Sequence, residues 1–237
     1  MNLNWTRIGA IFQKELTEYR RNSSIVSTMA VIPLVFILAP LIEIFTSSPS
    51  SFAQGDRLLY LLGIPAVVPA IIAAYAVVGE RQQGTLEPVL TTPIRREEFL
   101  LGKALAALVP SLSVSYVVYG LVLALVELFA RPAATAAVVR GSEIVAQVVF
   151  TPLVAAWSIW AGMAISARAR DVRVAQQLGA LVSLPVFAVA ALTAFGAIPA
   201  TLAMALGFGV VLVLLDLLGW RMTSALFDRE RLITEDT

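Results

Sequence analysis

The sequence predicts an all-α integral membrane protein with six transmembrane helices. Of its 237 residues, 59% are apolar and only 14% are charged, whereas about a quarter of the residues in an ordinary soluble domain are charged. A mean hydropathy of +0.85 is too high for a chain that wraps a single core in a polar surface, so most of its solvent must be lipid. Six apolar segments are each long enough to cross a hydrocarbon layer of about 30 Å as a helix.

The first 24 residues are predicted to form an amphipathic helix in the membrane interface. Apolar side chains recur there at three- and four-residue steps, at Trp5, Ile8, Phe12, Leu16 and Tyr19. The charged side chains fall mainly on another face, as is typical of interfacial helices. Because about two dozen mixed residues precede the first apolar run, we expect no cleaved signal peptide. The simplest role is an anchor that orients the first span, and a specific role in gating is the alternative.

A six-span transmembrane domain is predicted over residues 25–221, followed by a C-terminal tail at residues 222–237. The predicted spans are 25–45, 58–79, 101–129, 144–165, 178–196 and 200–220. The breaker cluster from Gly196 to Pro199 predicts a tight hairpin between the last two spans, with a short re-entrant turn as the alternative. Pro110 lies in the longest span, where it could kink the helix or follow an interfacial segment.

The basic residues predict which ends of the spans face the cytoplasm. Fourteen of the 17 Lys and Arg residues lie in the N-terminal segment, the second and fourth connections, or the C-terminal end. By the positive-inside rule, both termini and these two connections are cytoplasmic. The outer connections are too short to form a folded extracellular domain, so an energy source on the cytoplasmic side must come from another chain.

Several kinds of chemistry are excluded by residues that the sequence lacks. The chain has no histidine and no cysteine, which excludes disulfides and any metal site or catalytic dyad that needs these side chains. A phosphate-binding loop is also missing, because Gly102-Lys103 is followed by Ala104 and the preceding glycine is not in place. We therefore expect no catalytic residue, no metal and no cofactor in this chain, and a net charge of +1 gives no basic field for nucleic acid.

The densest polar stretch of the chain, residues 80–103, connects the second and third spans. Gly84 permits a sharp turn there, and Thr85 can begin a short helix. The apolar face of that helix would comprise Leu86, Val89 and Leu90. Pro93 disfavours helix at Thr92 and begins a second helix that leads into the third span. On periodicity alone, such a loop helix is most simply an ordinary interfacial element.

The pattern of residues in this stretch resembles a known family motif. Its members here are Glu80, Arg81, Gly84, Thr85, Leu86, Glu87, Leu90, Thr92 and Pro93, followed by Glu98, Gly102 and Lys103. The pattern resembles the loop after the second span of ABC type-2 permeases, the membrane subunits of one large class of ATP-binding-cassette exporters. Lys14-Glu15-Leu16 and Arg20-Arg21 before the first span are similar to that family's N-terminal segment. Pro88 is less usual at its place.

The resemblance implies a fold, partner subunits and separate roles for the permease and the ATPase. Two permease subunits would pair as a homodimer or heterodimer, and each would rest on a cytoplasmic ABC ATPase subunit, two copies in all, which binds ATP and Mg. The short helix would be the coupling helix, and we call residues 80–93 the coupling segment. Gly84, Thr85, Leu86, Glu87 and Leu90 would contact the ATPase, while Glu80 and Arg81 would hold the exit from the second span. Export across a prokaryotic inner membrane is expected.

Charges and breakers inside the spans supply further candidates. Glu43, Glu127 and Asp216 lie near span ends, so interfacial anchoring or local pairing is favoured over a proton relay. Glu43 and Glu127 could still face one outer vestibule in the transport pathway. Pro65 and Pro69, one turn apart in the span that leads to the coupling segment, form a candidate flexing point.

Two other functions are compatible with the same residues. A secondary transporter driven by an ion gradient would transport without ATP and would depend on the three intramembrane acids. A non-transporting membrane scaffold or sensor would bind an ATPase without moving a substrate. The spans carry an apolar lining with no convergent charged cluster, which favours an amphipathic or hydrophobic substrate.

Overall fold

The computed structural model describes residues 3–47, 56–84 and 94–226, and every regular element in those ranges is a helix. The helices are α1 (Trp5–Arg21), α2 (Ser23–Thr46), a 3-10 helix (Arg57–Leu62), α3 (Gly63–Ala74), α4 (Val78–Gln82), α5 (Arg96–Phe129), α6 (Pro132–Val138), α7 (Gly141–Arg168), α8 (Val172–Ala194) and α9 (Leu202–Leu226). Within the described ranges, six helical segments are long and apolar enough to cross a membrane. The predicted all-α fold with six spans is confirmed.

Successive spans run in opposite directions. Span 2, residues Arg57–Glu80, comprises the 3-10 helix, α3 and most of α4, and the other spans are α2, α5, α7, α8 and α9. An ion pair between Glu43 and Arg57 joins the end of α2 to the start of span 2, and one between Glu80 and Lys103 joins the end of span 2 to α5. Alternating directions bring α1 and the end of α9 to one end of the bundle, which we call the N-terminal end.

Span 2 occupies the centre of the bundle. In its most apolar window 83% of the residues are buried, against 11% in α9 at the periphery. Small residues let the neighbouring backbones approach it closely. A Cβ on Gly162 of α7 would lie 2.6 Å from the Ala70 carbonyl oxygen, and a Cβ on Gly179 of α8 would lie 3.2 Å from that same atom. Span 2 therefore packs closely between α7 and α8.

The helix that leads into the third span begins later than the sequence predicts. The predicted start at Pro93 is wrong, because Arg95 has an extended backbone and α5 begins at Arg96. The Glu98 carboxylate accepts a hydrogen bond from the Arg95 N–H at 3.1 Å, and a carboxylate in the first turn fixes the start of a helix in this way. The helix runs through Pro110 without interruption. Its 34 residues extend about 51 Å, well beyond one hydrocarbon layer.

The connections at the opposite end of the bundle are short. The link between α5 and α7 contains a helix that the sequence analysis missed, α6, which begins with Pro132 in the favoured first position. The link between α8 and α9 is a simple turn rather than a re-entrant segment. Gly196 has a positive φ of 76° there, and the Ala197 N–H donates to the Leu192 carbonyl at 2.9 Å. A glycine adopts this left-handed conformation without strain.

Candidate functional site

At the N-terminal end, α1 packs directly on the first turns of α5. A Cβ on Gly102 would lie 2.7 Å from the Ile11 Cβ, so the glycine leaves the space that α1 occupies. Ile8 and Ile11 are buried, whereas Trp5 is 69% exposed. The face of α1 that meets the bundle is therefore rotated from the predicted apolar stripe, and it contains the carboxylate of Glu15.

Glu98 fixes the starts of both helices. Its carboxylate accepts the Asn4 N–H at 3.0 Å in addition to the Arg95 N–H. The Asn4 side chain in turn accepts from the N–H groups of Thr6 and Arg7, at 3.1 and 3.4 Å. These bonds satisfy donors that a helix start leaves free. Two short local motifs therefore hold the beginning of α1 against the beginning of α5.

Four charged residues meet between α1, α4 and α5, and we call Lys14, Glu15, Glu80 and Lys103 the ion-pair cluster. Lys103 Nζ lies 2.6 Å from Glu15 Oε1 and 2.9 Å from Glu80 Oε1. Lys14 Nζ lies 2.5 Å from Glu80 Oε1 and 3.3 Å from Glu15 Oε1. Each carboxylate thus meets both ammonium groups, and three helices are joined at one point.

Most of this cluster is removed from water. Lys103 and Glu15 are each 2% exposed, and Glu80 is 4% exposed. Taking a charge out of water costs several kcal/mol per ion, so each of these charges depends on its partners. Such a cluster adds little net stability, but its geometry is specific, because removal of one partner leaves an uncompensated buried charge.

The cluster also shifts the titration of its neighbours in α1. Burial lowers the pKa of Lys14, but the hydrogen bond to Glu80 and the charge of Glu15 outweigh it, and the pKa lies above its ordinary value. Burial, followed by the charge of Glu15, raises the pKa of Tyr19 well above its ordinary value. At neutral pH, therefore, Lys14 is charged and Tyr19 is neutral.

Three carboxylates at this point are close enough to share a cation. Oxygens of Glu15, Glu18 and Glu80 all lie within 4.8 Å of one another. However, Lys14 Nζ is 3.0 Å from Glu18 Oε1, and with Lys103 it already supplies positive charge among these oxygens. The donor set therefore suits an ion-pair network that joins α1, α4 and α5.

The described part of the predicted coupling segment begins inside this site. Glu80 belongs to the ion-pair cluster, Arg81 follows it in α4, and Gly84 has a positive φ of 68°. The other predicted residues of the coupling segment lie outside the described residues: Thr85, Leu86, Glu87, Leu90, Thr92 and Pro93. Their contacts with an ATPase stay a prediction.

At the opposite end of the bundle, Glu43 is part of a second polar contact. Its Oε1 lies 2.8 Å from Arg57 Nε. The Arg57 guanidinium donates to the Ala194 carbonyl at the end of α8 and lies 5.7 Å from the Phe195 ring. Glu127 is exposed on α5. Arg57 thus joins α2, span 2 and α8, and a pathway role for Glu43 and Glu127 stays a prediction.

The two proline candidates lie buried within α3. The helix is continuous through Pro65 and Pro69, and span 2 is interrupted further along, at the turn of Tyr75 to Val77. A pathway or flexing role for the prolines stays a prediction. The turn itself was not foreseen, because its residues Tyr-Ala-Val carry no helix-breaking signal.

Sequence reasoning also assigned no paired role to Glu15 and Lys103. A signal for each exists in retrospect. Glu15 stands four residues from both Ile11 and Tyr19, which places it on one face with buried residues. Lys103 is a lone cation in the apolar start of the third span, where an unpaired charge would be costly. The two positions are 88 residues apart, so only the fold reveals their contact.

The family of the chain follows from comparison with known proteins. No match was found among curated proteins. The family model described as ABC-2 family transporter protein matches residues 9–225. This range includes most of α1, the first five spans and all but the last residue of the sixth, so the match and the architecture agree over nearly the whole chain. The protein therefore belongs to the ABC-2 family of transporter proteins, as a multi-pass membrane permease.

Proposed function

We propose that this protein is the permease subunit of an ATP-driven exporter. In this proposal two permease subunits form the translocation path, and separate ABC ATPase subunits drive it from the cytoplasm. Family membership supports the permease role. The concentration of basic residues supports a cytoplasmic location for the N-terminal end of the bundle, where the coupling segment leaves span 2. ATP and Mg would bind the partner ATPase, and a prokaryotic inner membrane is the expected location.

The observation that carries the proposal is the position of the ion-pair cluster around the coupling segment. Glu80 precedes residues 81–93 and Lys103 follows them, yet their charged atoms lie 2.9 Å apart. Both residues are also paired with α1. A displacement of the coupling segment would therefore move α1, α4 and α5 together.

The mechanism follows from this rigid attachment. When the ATPase subunits close on ATP, they would push the two coupling segments, one in each permease. Because the ion-pair cluster resists separation of its charges, α1 and the ends of spans 2 and 3 would move as one body. Movement of these bodies relative to their partners would switch the central path from inward-facing to outward-facing.

Copurification with a co-encoded ATPase tests the proposal. The two proteins are expressed together, purified in detergent and placed in lipid nanodiscs, and ATP turnover is measured with and without the permease. We expect a stable complex in which the permease changes the turnover rate. An intact permease that neither binds the ATPase nor changes its turnover would contradict the proposal.

Charge substitutions in the coupling segment test its contact. Leu86→Asp or Leu90→Asp would place a carboxylate in an apolar interface and should weaken ATPase binding by about tenfold or more. Thr91→Asp is the matched control, because in the predicted helix position 91 would be off the face shared by residues 86, 89 and 90. Membrane insertion should be normal in all three. Unchanged binding in both Leu variants would remove these residues from the interface.

An ion-gradient-driven transporter is the second candidate, and Asp216 is the observation that favours it. Asp216 lies in the α9 span, and its buried Oδ1 has no hydrogen-bond partner among the described residues. Intramembrane acids of this kind mark ion pathways in many transporters. This candidate predicts transport into ATP-free vesicles by the permease alone, with loss on Asp216→Asn. Strict dependence on ATP and the ATPase would reject it.

A further inference from the structure

Span 2 is interrupted between α3 and α4, one turn before Glu80. The N–H groups of Tyr75 and Ala76 bond to carbonyls three residues back, each at 3.0 Å, so the end of α3 tightens. The next two N–H groups leave the helix altogether. Those of Val77 and Val78 donate to the Ser166 hydroxyl oxygen of α7, at 2.9 and 3.1 Å. The α-helical pattern then resumes in α4.

The two bonds to Ser166 are needed because of where the interruption lies. Val77, Val78 and Ser166 have no exposed surface, and an unpaired N–H buried away from water is costly. Serines in membrane helices commonly bond to a carbonyl four residues back in their own helix. Ser183 of α8 does this, with its hydroxyl 3.1 Å from the Gly179 carbonyl. Ser166 instead serves a neighbouring span.

The segment after the interruption is attached mainly to other elements. Glu80 of α4 is paired with Lys103 of α5 and Lys14 of α1. The Tyr75 ring lies over Gly79, where a Cβ would approach it to 2.5 Å. Glu80 thus connects α4 to the ion-pair cluster, whereas α4 is joined to the turn after α3 by the bond from the Gly79 N–H to the Tyr75 carbonyl, at 3.0 Å.

We propose that Ser166 is a positioning residue for coupling, because its hydroxyl holds a hinge in span 2 between the membrane-embedded α3 and the coupling segment. The hinge lets α4 and the coupling segment pivot with the ion-pair cluster while α3 stays packed between α7 and α8. Ser166 fixes where the pivot lies. This inference rests on the proposed function, since it concerns how motion of the coupling segment enters the membrane.

Ser166→Ala tests the inference in the purified complex with the co-encoded ATPase. The variant removes the acceptor and should leave ATPase binding unchanged, because Ser166 is fully buried and has no surface for a docked subunit to touch. The permease-dependent change in ATP turnover should fall by about tenfold. Amide hydrogen exchange of the peptide covering residues 75–80 should accelerate by about tenfold. Ser183→Ala is the matched control, a buried hydroxyl lost from a span without an interhelical bond, and should change neither measurement.

Val78→Pro provides a second test, because the effect of removing one N–H group can be measured both alone and together with Ser166→Ala. Proline has no N–H to satisfy, and it suits the first position of a helix. Val78→Pro alone keeps the interruption and should retain coupling within about twofold. In the Ser166→Ala background it should restore part of the lost coupling, because one of the two buried N–H groups is then absent and only that of Val77 lacks its acceptor. A purely structural role for Ser166 predicts no such rescue.

The outcomes separate the inference from the proposed function. If the wild-type permease fails to bind the ATPase or to change its turnover, the proposed function fails. If the wild type couples and Ser166→Ala couples equally well, only the hinge is overturned. Loss of coupling without faster exchange at residues 75–80, or loss of coupling in Val78→Pro, would overturn the hinge in the same way.

Discussion

Lys103 is the residue on which the ion-pair cluster depends. A lysine is a compact charge with three donors, and here it serves Glu15 and Glu80 from inside the protein, at 2.6 and 2.9 Å. Lys14, by contrast, is partly exposed to water. Because water can solvate Lys14 but not Lys103, substitution of Lys103 should lower the stability of the folded protein more than substitution of Lys14.

We predict that Lys103→Met destabilises the permease by about 3–5 kcal/mol, because two buried carboxylates lose a partner. Adding Glu15→Gln to this variant should recover part of the loss, since it removes one of the uncompensated charges. Thermal unfolding in detergent measures both, and Lys14→Met is the comparison with a half-exposed lysine. Equal loss in the single and double variants would contradict the charge argument.

The raised pKa values of Lys14 and Tyr19 predict a loss of stability in alkali. A group whose pKa is higher in the folded protein contributes stability that is complete below its unfolded pKa and is lost as the pH rises through the folded pKa. The ordinary values are 10.5 for Lys14 and 10.0 for Tyr19, so their contribution is present at neutral pH and declines above about pH 10.

We therefore expect the melting temperature to fall above about pH 10, and to fall less steeply in Lys14→Met and Tyr19→Phe. Thermal unfolding scans in matched detergent buffers measure the slope for each protein. Because other lysines and tyrosines also titrate there, the difference in slope between variant and wild type is the relevant quantity. Identical slopes would show that these two groups contribute nothing to the pH dependence.

At the scale of elements, the contact between α1 and α5 depends on one glycine. Gly102 faces Ile11 so closely that any Cβ must displace α1. We predict that Gly102→Ala costs about 1–3 kcal/mol by overpacking and weakens permease-dependent ATP turnover. Gly120→Ala is the matched control in the same helix, because its Cβ would meet nothing within 4 Å. That control should be neutral or stabilising by up to about 1 kcal/mol. Equal effects of the two substitutions would show that close packing is not the reason for Gly102.

The sequence could not predict structural features that depend on contacts between residues far apart in the chain. The six spans could be predicted because apolar length is a local property. The interruption at Tyr75 to Val77 leaves N–H groups whose acceptor is 89 residues away, and its own residues carry no helix-breaking signal. The start of α5 at Arg96 was misplaced because Pro93 is a strong local signal, while Glu98 sets the helix start and also bonds to Asn4.

For the candidate site, the sequence indicated the region but not the way it is held. Resemblance selected Glu80 and Lys103 as members of a motif, and the fold shows that they are ion-paired with each other. Glu15 was identified only as part of a motif. Its ion pair could not be predicted, because the partner of a glutamate on an apolar helix face lies on another helix. Pairing across helices depends on packing, which hydropathy and spacing do not encode.

At the scale of the whole molecule, the coupling proposal depends on which end of the bundle faces the cytoplasm. The basic residues are concentrated at the N-terminal end, and positive charge is retained on the cytoplasmic side during insertion. The cysteine-free sequence makes this orientation directly testable, because one introduced cysteine is the only thiol in the chain.

We predict that Gln82→Cys reacts with a membrane-impermeant maleimide only in inside-out vesicles, and Arg131→Cys only in right-side-out vesicles. Both side chains are exposed, at the N-terminal and opposite ends respectively, so a cysteine there can ionise to the reactive thiolate and can be reached by the reagent. Ser158→Cys is the control for leakage, because Ser158 is fully buried in α7 and should react from neither side. The reverse labelling pattern would place the coupling segment outside the cell, where no cytoplasmic ATPase could reach it, and coupling through residues 80–93 would have to be abandoned.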